Sequence, residues 1–232
     1  MFVGGASGSR WPPGAPPLVS EEPAHPPWNR ALEAPLPLDE AMGRKRRAAG
    51  SGIVRTVRPH PPPAPADAIR FGRPEDAARY PVIEREAAKL YAPWGLYEVL
   101  MTAATAPERV TSAIAREDLL VAVDERDQAI GYALLDRDAG DLHLEELAVH
   151  PDHGRRGLGS ALLHATILVA RARGARRVTL VTLDFVPFGK SFYEPRGFHV
   201  LTRAERTPAI DAIVPPDADD GRIAMAIDLP SR

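Results

Sequence analysis

The stretch LHLEELAVHPDHGRRGLGSALL, Leu142 to Leu163, limits the architecture of this chain more than any other. An apolar strand with two adjacent glutamates runs into a basic loop with three glycines. The loop then runs into a segment of helical period, in which Leu158, Leu162, Ala165 and Val169 share one face. Gly174 suits a helix C-cap, and RRVTLVTLD, residues 176–184, reads as the next strand. A helix of this length between two strands calls for a right-handed crossover that joins them in parallel. The segments before it call for the opposite arrangement. LLVAVD, AIGYALLD and LHLEELAV are β-rich and joined by the short polar links ERDQ and RDAGD, an antiparallel meander. Together these predict an α/β fold with a mixed, mostly antiparallel central sheet flanked by helices.

The flanks extend the same domain. A short strand is expected at Ala68–Phe71. Pro74, Glu75 and Asp76 then open a helix over Glu75–Leu90, which Pro81 could interrupt. PERVTSAIARED predicts a second, shorter helix. After RRVTLVTLD come a short helix at Lys190–Glu194, the strand FHVLTR, a long polar connection and a last strand RIAMAIDL. Residues 1–66 crowd proline, arginine, glycine and alanine without helical or strand period and read as a disordered tail, in which the basic GRKRR is a solvated cluster. Residues 67–232 read as one domain. A net charge of −2 gives no footprint for nucleic acid, and no segment approaches the roughly 20 apolar residues of a membrane span. Absence of cysteine excludes disulfides, thiolate metal sites and a cysteine nucleophile. The expectation is a cytoplasmic protein without nucleic-acid or membrane partners, with which a homodimer is compatible.

The loop itself points to chemistry. At Gly154–Ser160, backbone N–H groups at a helix start lack intrahelical partners, and the helix dipole adds positive character. Glycine lets backbone approach an anion closely, while Arg155 and Arg156 bring mobile charge, so a pyrophosphate is the natural guest. A bare tight turn would need only Gly157 and Gly159. A dinucleotide-binding Rossmann unit would explain Asp184 at the end of the next strand. Against it stand Leu162 at the third glycine position, the long connection from His150 to Arg156 and the three strands that come first. His150 and His153 fall in a turn with no third ligand, so no metal is expected.

LAVHPDHGRRGLGSALL and SFYEPRGF resemble the acyl-CoA loop and the tyrosine-bearing segment of the GCN5-related N-acetyltransferase (GNAT) superfamily, over about Ala68 to Leu229. The resemblance implies a sheet splayed at its middle strands, with acetyl-CoA as acyl donor. It places pyrophosphate on the backbone of Arg155, Arg156, Gly157, Leu158, Gly159 and Ser160, and pantetheine along Leu147, Ala148 and Val149. Two departures stand out: Gly154 occupies a position where the family usually has Gln or Arg, and no Asn precedes the Phe192–Tyr193 pair.

Acetyl transfer to an amine with a pKa near about 10 requires a proton acceptor. Glu145 and Glu146 are the candidates; a regular strand sends them to opposite faces, a bulge would not. Glu145, which shares its face with His143, is the favoured base, with His143 as its partner. The resemblance further implies direct attack in a ternary complex, with Tyr193 protonating the departing thiolate and the Val149 amide polarising the thioester. The expected acceptor is a small-molecule amine. A protein amine and a non-catalytic CoA-binding regulatory module are the alternatives.

Overall fold

The computed structural model describes residues 69–214 and 220–230. The expected tail, residues 1–66, and its boundary with the domain lie outside them. Among the described residues seven strands form one sheet: β1 (Ile69–Phe71), β2 (Leu119–Val123), β3 (Ala129–Asp138), β4 (Asp141–Val149), β5 (Arg177–Leu183), β6 (His199–Val200) and β7 (Arg222–Asp228), in the order β1-β2-β3-β4-β5-β7-β6. Every neighbouring pair is antiparallel except β4 and β5. The meander turns tightly where Ala139 and Gly140 both take positive φ, 48° and 89°, as a two-residue hairpin loop that follows the strand twist requires.

Helices cover both faces. They are α1 (Tyr80–Ala88), α2 (Tyr97–Thr102), α3 (Pro107–Ala115), α4 (Leu158–Ala172), α5 (Lys190–Tyr193) and α6 (Pro208–Ile213). The α4 crossover buries Leu158, Leu162, Leu163 and Ala170 against Leu120, Ala133, Leu135, Leu142 and Val178. On the opposite face, Tyr80 and Ile83 of α1 and Val110 and Ala113 of α3 pack on Leu119, Val121, Tyr132 and Leu134. Each core strand therefore carries apolar side chains on both faces, which is why LLVAV reads as a run and not as an alternation.

Three expectations are corrected in detail. The helix over Glu75–Leu90 is broken into a 3₁₀ turn (Pro74–Ala78), α1 and a second 3₁₀ turn (Lys89–Trp94). The first break leaves Pro81 in the opening turn of α1, where its missing N–H has no acceptor to serve. The strand FHVLTR is only two residues long, because a capping box between Thr202 and Glu205 starts a 3₁₀ turn at once. The long polar connection holds α6, capped by the Thr207 side chain on the Ile210 amide.

Candidate active site

The parallel pair β4–β5 is joined only from Leu142↔Val178 to Leu144↔Leu180. Past that register the strands part, and Glu145–Val149 on one side and Val181–Leu183 on the other line a cleft of about 1030 Å³. The N-terminal end of α4 closes one end of the cleft with Gly154, Arg155, Gly157, Leu158, Gly159 and Ser160; Arg156 is exposed and stands outside the lining. Gly157 caps the helix with φ 85°, a conformation that favours glycine. The Gly157 carbonyl accepts the first helical bond, from the Ala161 amide at 2.9 Å, so the amides of Leu158, Gly159 and Ser160 precede the ladder.

Arg196 adds charge beside this helix start. Its guanidinium lies 4.0 Å from the Phe192 ring centroid, donates to Ser160 Oγ at 2.8 Å and also bonds the Phe192 carbonyl. It stood inside the quoted SFYEPRGF segment, but sequence reading took only Tyr193 from it.

The two glutamates are separated by a β-bulge. Leu134 pairs with Glu146 and Leu135 with Leu144, so Glu145 is the extra residue. Both carboxylates therefore meet side chains from the α1/α3 face. Glu145, with its side chain 1% exposed, takes an ion pair from Arg109 of α3 at 2.5 Å. Glu146 is half-buried in the cleft wall and accepts hydrogen bonds from the Tyr80 and Tyr132 hydroxyls, each at 2.7 Å. Those two rings stack at 3.9 Å.

Glu84 on α1 lies in the same network, accepting the Thr105 amide at 2.8 Å, while the Tyr80 hydroxyl also reaches Thr105 Oγ1 at 3.2 Å. Burial, and then the nearby Glu84 charge, push Glu146 up to about 7, against the two tyrosine hydrogen bonds that favour its ionised form. Burial raises Glu84 as well. His143 is buried, shares a hydrogen bond with Thr179 Oγ1 at 2.9 Å, and is held below its ordinary pKa by desolvation.

Tyr193 is buried at the cleft wall between Phe192 and Phe198, with its pKa raised by burial and by Tyr91. Tyr91, which also lines the cleft, is pushed up to about 12 by burial and the Glu146 charge. The structure thus brings Glu145, Glu146, Leu147, Ala148, Val149, the α4 loop and Tyr193 to one cleft. Sequence reading missed Tyr80, Glu84, Tyr91, Arg109 and Tyr132. They come from elements far apart in the chain, and no local motif marks them. Among the described residues no group of His, Asp and Glu could hold a metal, and no helix is long and apolar enough to cross a membrane.

A sheet splayed between two parallel strands, with a helix start at its opening and Glu146 and Tyr193 in its wall, thus frames the cleft. Residues 115–200 match the family model described as the acetyltransferase (GNAT) domain. It is 44% identical over 52 residues to mycothiol acetyltransferase of Nocardiopsis dassonvillei; the match covers 22% of this chain and 16% of that protein's length. The fold is similar to PaiA N-acetyltransferase from Thermoplasma acidophilum in complex with coenzyme A, with TM-score 0.56 and 22% identity over 69% of this chain and 98% of the other. It is also similar to ribosomal-protein-S18-alanine N-acetyltransferase from Escherichia coli, with TM-score 0.50 and 21% identity over 71% and 94%.

Proposed function

We propose that this chain is an acetyl-CoA-dependent N-acetyltransferase that acetylates a small-molecule amine by direct attack in a ternary complex. The observation that carries the reading is Glu146: a carboxylate held near neutrality in the wall of the cleft that the α4 helix start and Tyr193 also line.

The residues present fit the donor. Gly157 with φ 85° and the amides of Leu158, Gly159 and Ser160 suit a pyrophosphate, and Arg196 beside Ser160 adds charge. Past Leu144 the main chain of β4 has parted from β5, and Leu147–Val149 suit pairing with an extended pantetheine arm. Bound acetyl-CoA supplies the electrophilic thioester carbonyl.

Glu146 takes the proton of the incoming ammonium, and a carboxylate near 7 is matched to that task at physiological pH. Glu145 was the favoured base from sequence. Its carboxylate is engaged in the ion pair with Arg109, and this supports giving the role to Glu146. As the C–N bond forms and the C–S bond breaks, the Val149 amide polarises the carbonyl oxygen and Tyr193 donates its phenolic proton to the leaving sulfur. A raised phenol pKa keeps that proton in place until the thiolate appears. A cytoplasmic location belongs to the same proposal.

Calorimetric titration with acetyl-CoA and with NADH tests the reading in wild type and Gly157→Glu. Micromolar acetyl-CoA binding, of order −8 kcal/mol, lost in the variant and absent for NADH, supports it; no acetyl-CoA binding refutes it. Binding without CoA release on any amine would instead favour the regulatory module.

A further inference from the structure

The cleft has a second half that a CoA donor does not need. Away from the α4 loop its wall is built by the turn after α1 and by α2: Leu90, Tyr91, Leu96, Val99, Leu100 and Met101. Phe188, from the loop after β5, faces this wall. Its ring meets Tyr91 edge-on at 4.7 Å and Trp94 at 5.9 Å, which ties the α1–α2 connection to the opposite side of the cleft. Leu96 is buried, but Val99, Leu100 and Met101 stay half-exposed, and Leu90 is 45% exposed. Half-exposed apolar side chains gathered on a concave wall are a surface shaped to take an apolar ligand.

The charges of this half are just as selective. Glu84 and Glu146 supply two carboxylates. Arg222 is the cation among its described lining residues, and its nitrogens are already engaged: Nε and Nη2 by Asp220 and Nη1 by the Ile213 carbonyl. An acceptor carrying its own carboxylate or phosphate would bury that group here without a free cation. One carrying several ammonium groups along its length would set the outer ones on hydrocarbon, at a similar desolvation cost.

We propose, on the transferase reading above, that the acceptor is an apolar primary monoamine. Its ammonium is drawn to Glu84 and Glu146, and its alkyl or aromatic body lies on the wall of Tyr91, Leu96, Val99, Leu100, Met101 and Phe188. Specificity then comes from α2 and the turn before it, segments that hold no part of the pyrophosphate cradle.

The test is kcat/KM with acetyl-CoA for the primary n-alkylamines from ethyl to hexyl, with phenethylamine, spermidine, alanine and a lysine-containing peptide beside them. Release of CoA is read as free thiol, which is free of background because the chain has no cysteine. Burial of each added methylene should raise kcat/KM about fourfold until the wall is filled. Phenethylamine should exceed spermidine, alanine and the peptide. Leu100→Asn, with Met101→Gln as a second variant, should flatten the series while the acetyl-CoA Kd is unchanged. A flat series in the wild type, or preference for spermidine, alanine or the peptide, with normal acetyl-CoA binding, overturns this acceptor class and leaves the transferase reading standing. Failure of the wild type to bind acetyl-CoA removes both.

Discussion

Glu146→Gln separates what Glu146 does for the fold from what it does for catalysis. The fold holds this carboxyl at about 7 against an ordinary 4.5. Between those values the folded chain keeps a proton that the unfolded chain has released, so this group's contribution favours the fold below pH 4.5 and is lost as pH rises through about 7. At about 1.4 kcal/mol per pH unit the full swing is worth up to about 3 kcal/mol, an upper figure because Glu84 shares the network. Glutamine has no proton to lose. Its amide can accept from the Tyr132 hydroxyl and donate to the Tyr80 oxygen, since Tyr80 has Thr105 Oγ1 as another acceptor. Urea unfolding of wild type and variant at pH 5 and pH 8.5 should therefore show the variant gaining by about 2–3 kcal/mol relative to wild type across that interval; the packing cost of the substitution cancels in the difference. In the same variant kcat/KM should fall by about 10²–10⁴. The wild-type profile should rise with pH through about 7, because the base works when ionised. A pH-independent stability difference, together with a wild-type profile lacking that limb, would refute the assignment.

Three further outcomes follow from neighbouring contacts. Glu84→Gln removes a charge that helps to raise Glu146, so the ascending limb of kcat/KM should move to lower pH; a limb that stays in place would dissolve the coupling. Tyr193→Phe should lower kcat by about 10²–10⁴-fold at unchanged acetyl-CoA Kd, and full activity would show that the leaving sulfur takes its proton elsewhere. Arg109→Ala withdraws the guanidinium from a carboxylate that is 1% exposed and should destabilise the chain by about 3–5 kcal/mol in denaturant titration; a loss below about 1 kcal/mol would mean that Glu145 is not an embedded anion.

The parts of this fold that were legible in the sequence are those governed by local order. The α4 crossover announces itself because Leu158, Leu162, Ala165 and Val169 repeat at helical period, and the meander because its strands are joined by links too short for any other connection. What stayed hidden depends on short elements or on competing caps. α2 is six residues long and carries no sustained apolar stripe. α6 was lost in a polar connection, although Thr207 before Pro208 is an N-cap followed by a favoured first helical residue. The end of FHVLTR could have been placed by the same reasoning at Thr202 and Glu205.

The candidate site divides along a different line. The anion cradle proposed for it is made of backbone, so glycine positions and a helix start are enough to locate it. The proposed proton-transfer end is made of side chains whose surroundings are set by tertiary partners. Nothing in the pair Glu145–Glu146 distinguishes one from the other: same residue, same strand, adjacent positions. The bulge at Glu145 turns both toward the α1/α3 face, and there the partners divide them. A fixed cation on α3 pairs with Glu145, whereas burial and a second buried carboxylate push Glu146 up to about 7 against the pull of two tyrosine hydroxyls. An arginine makes a poor neighbour for a base because it stabilises the charged form too strongly, and a phenol pair makes a tolerable one because it orients without committing the charge. The choice between two identical carboxylates is therefore written in α1 and α3, whose Tyr80 and Arg109 lie 66 and 36 positions upstream of the carboxylates they meet.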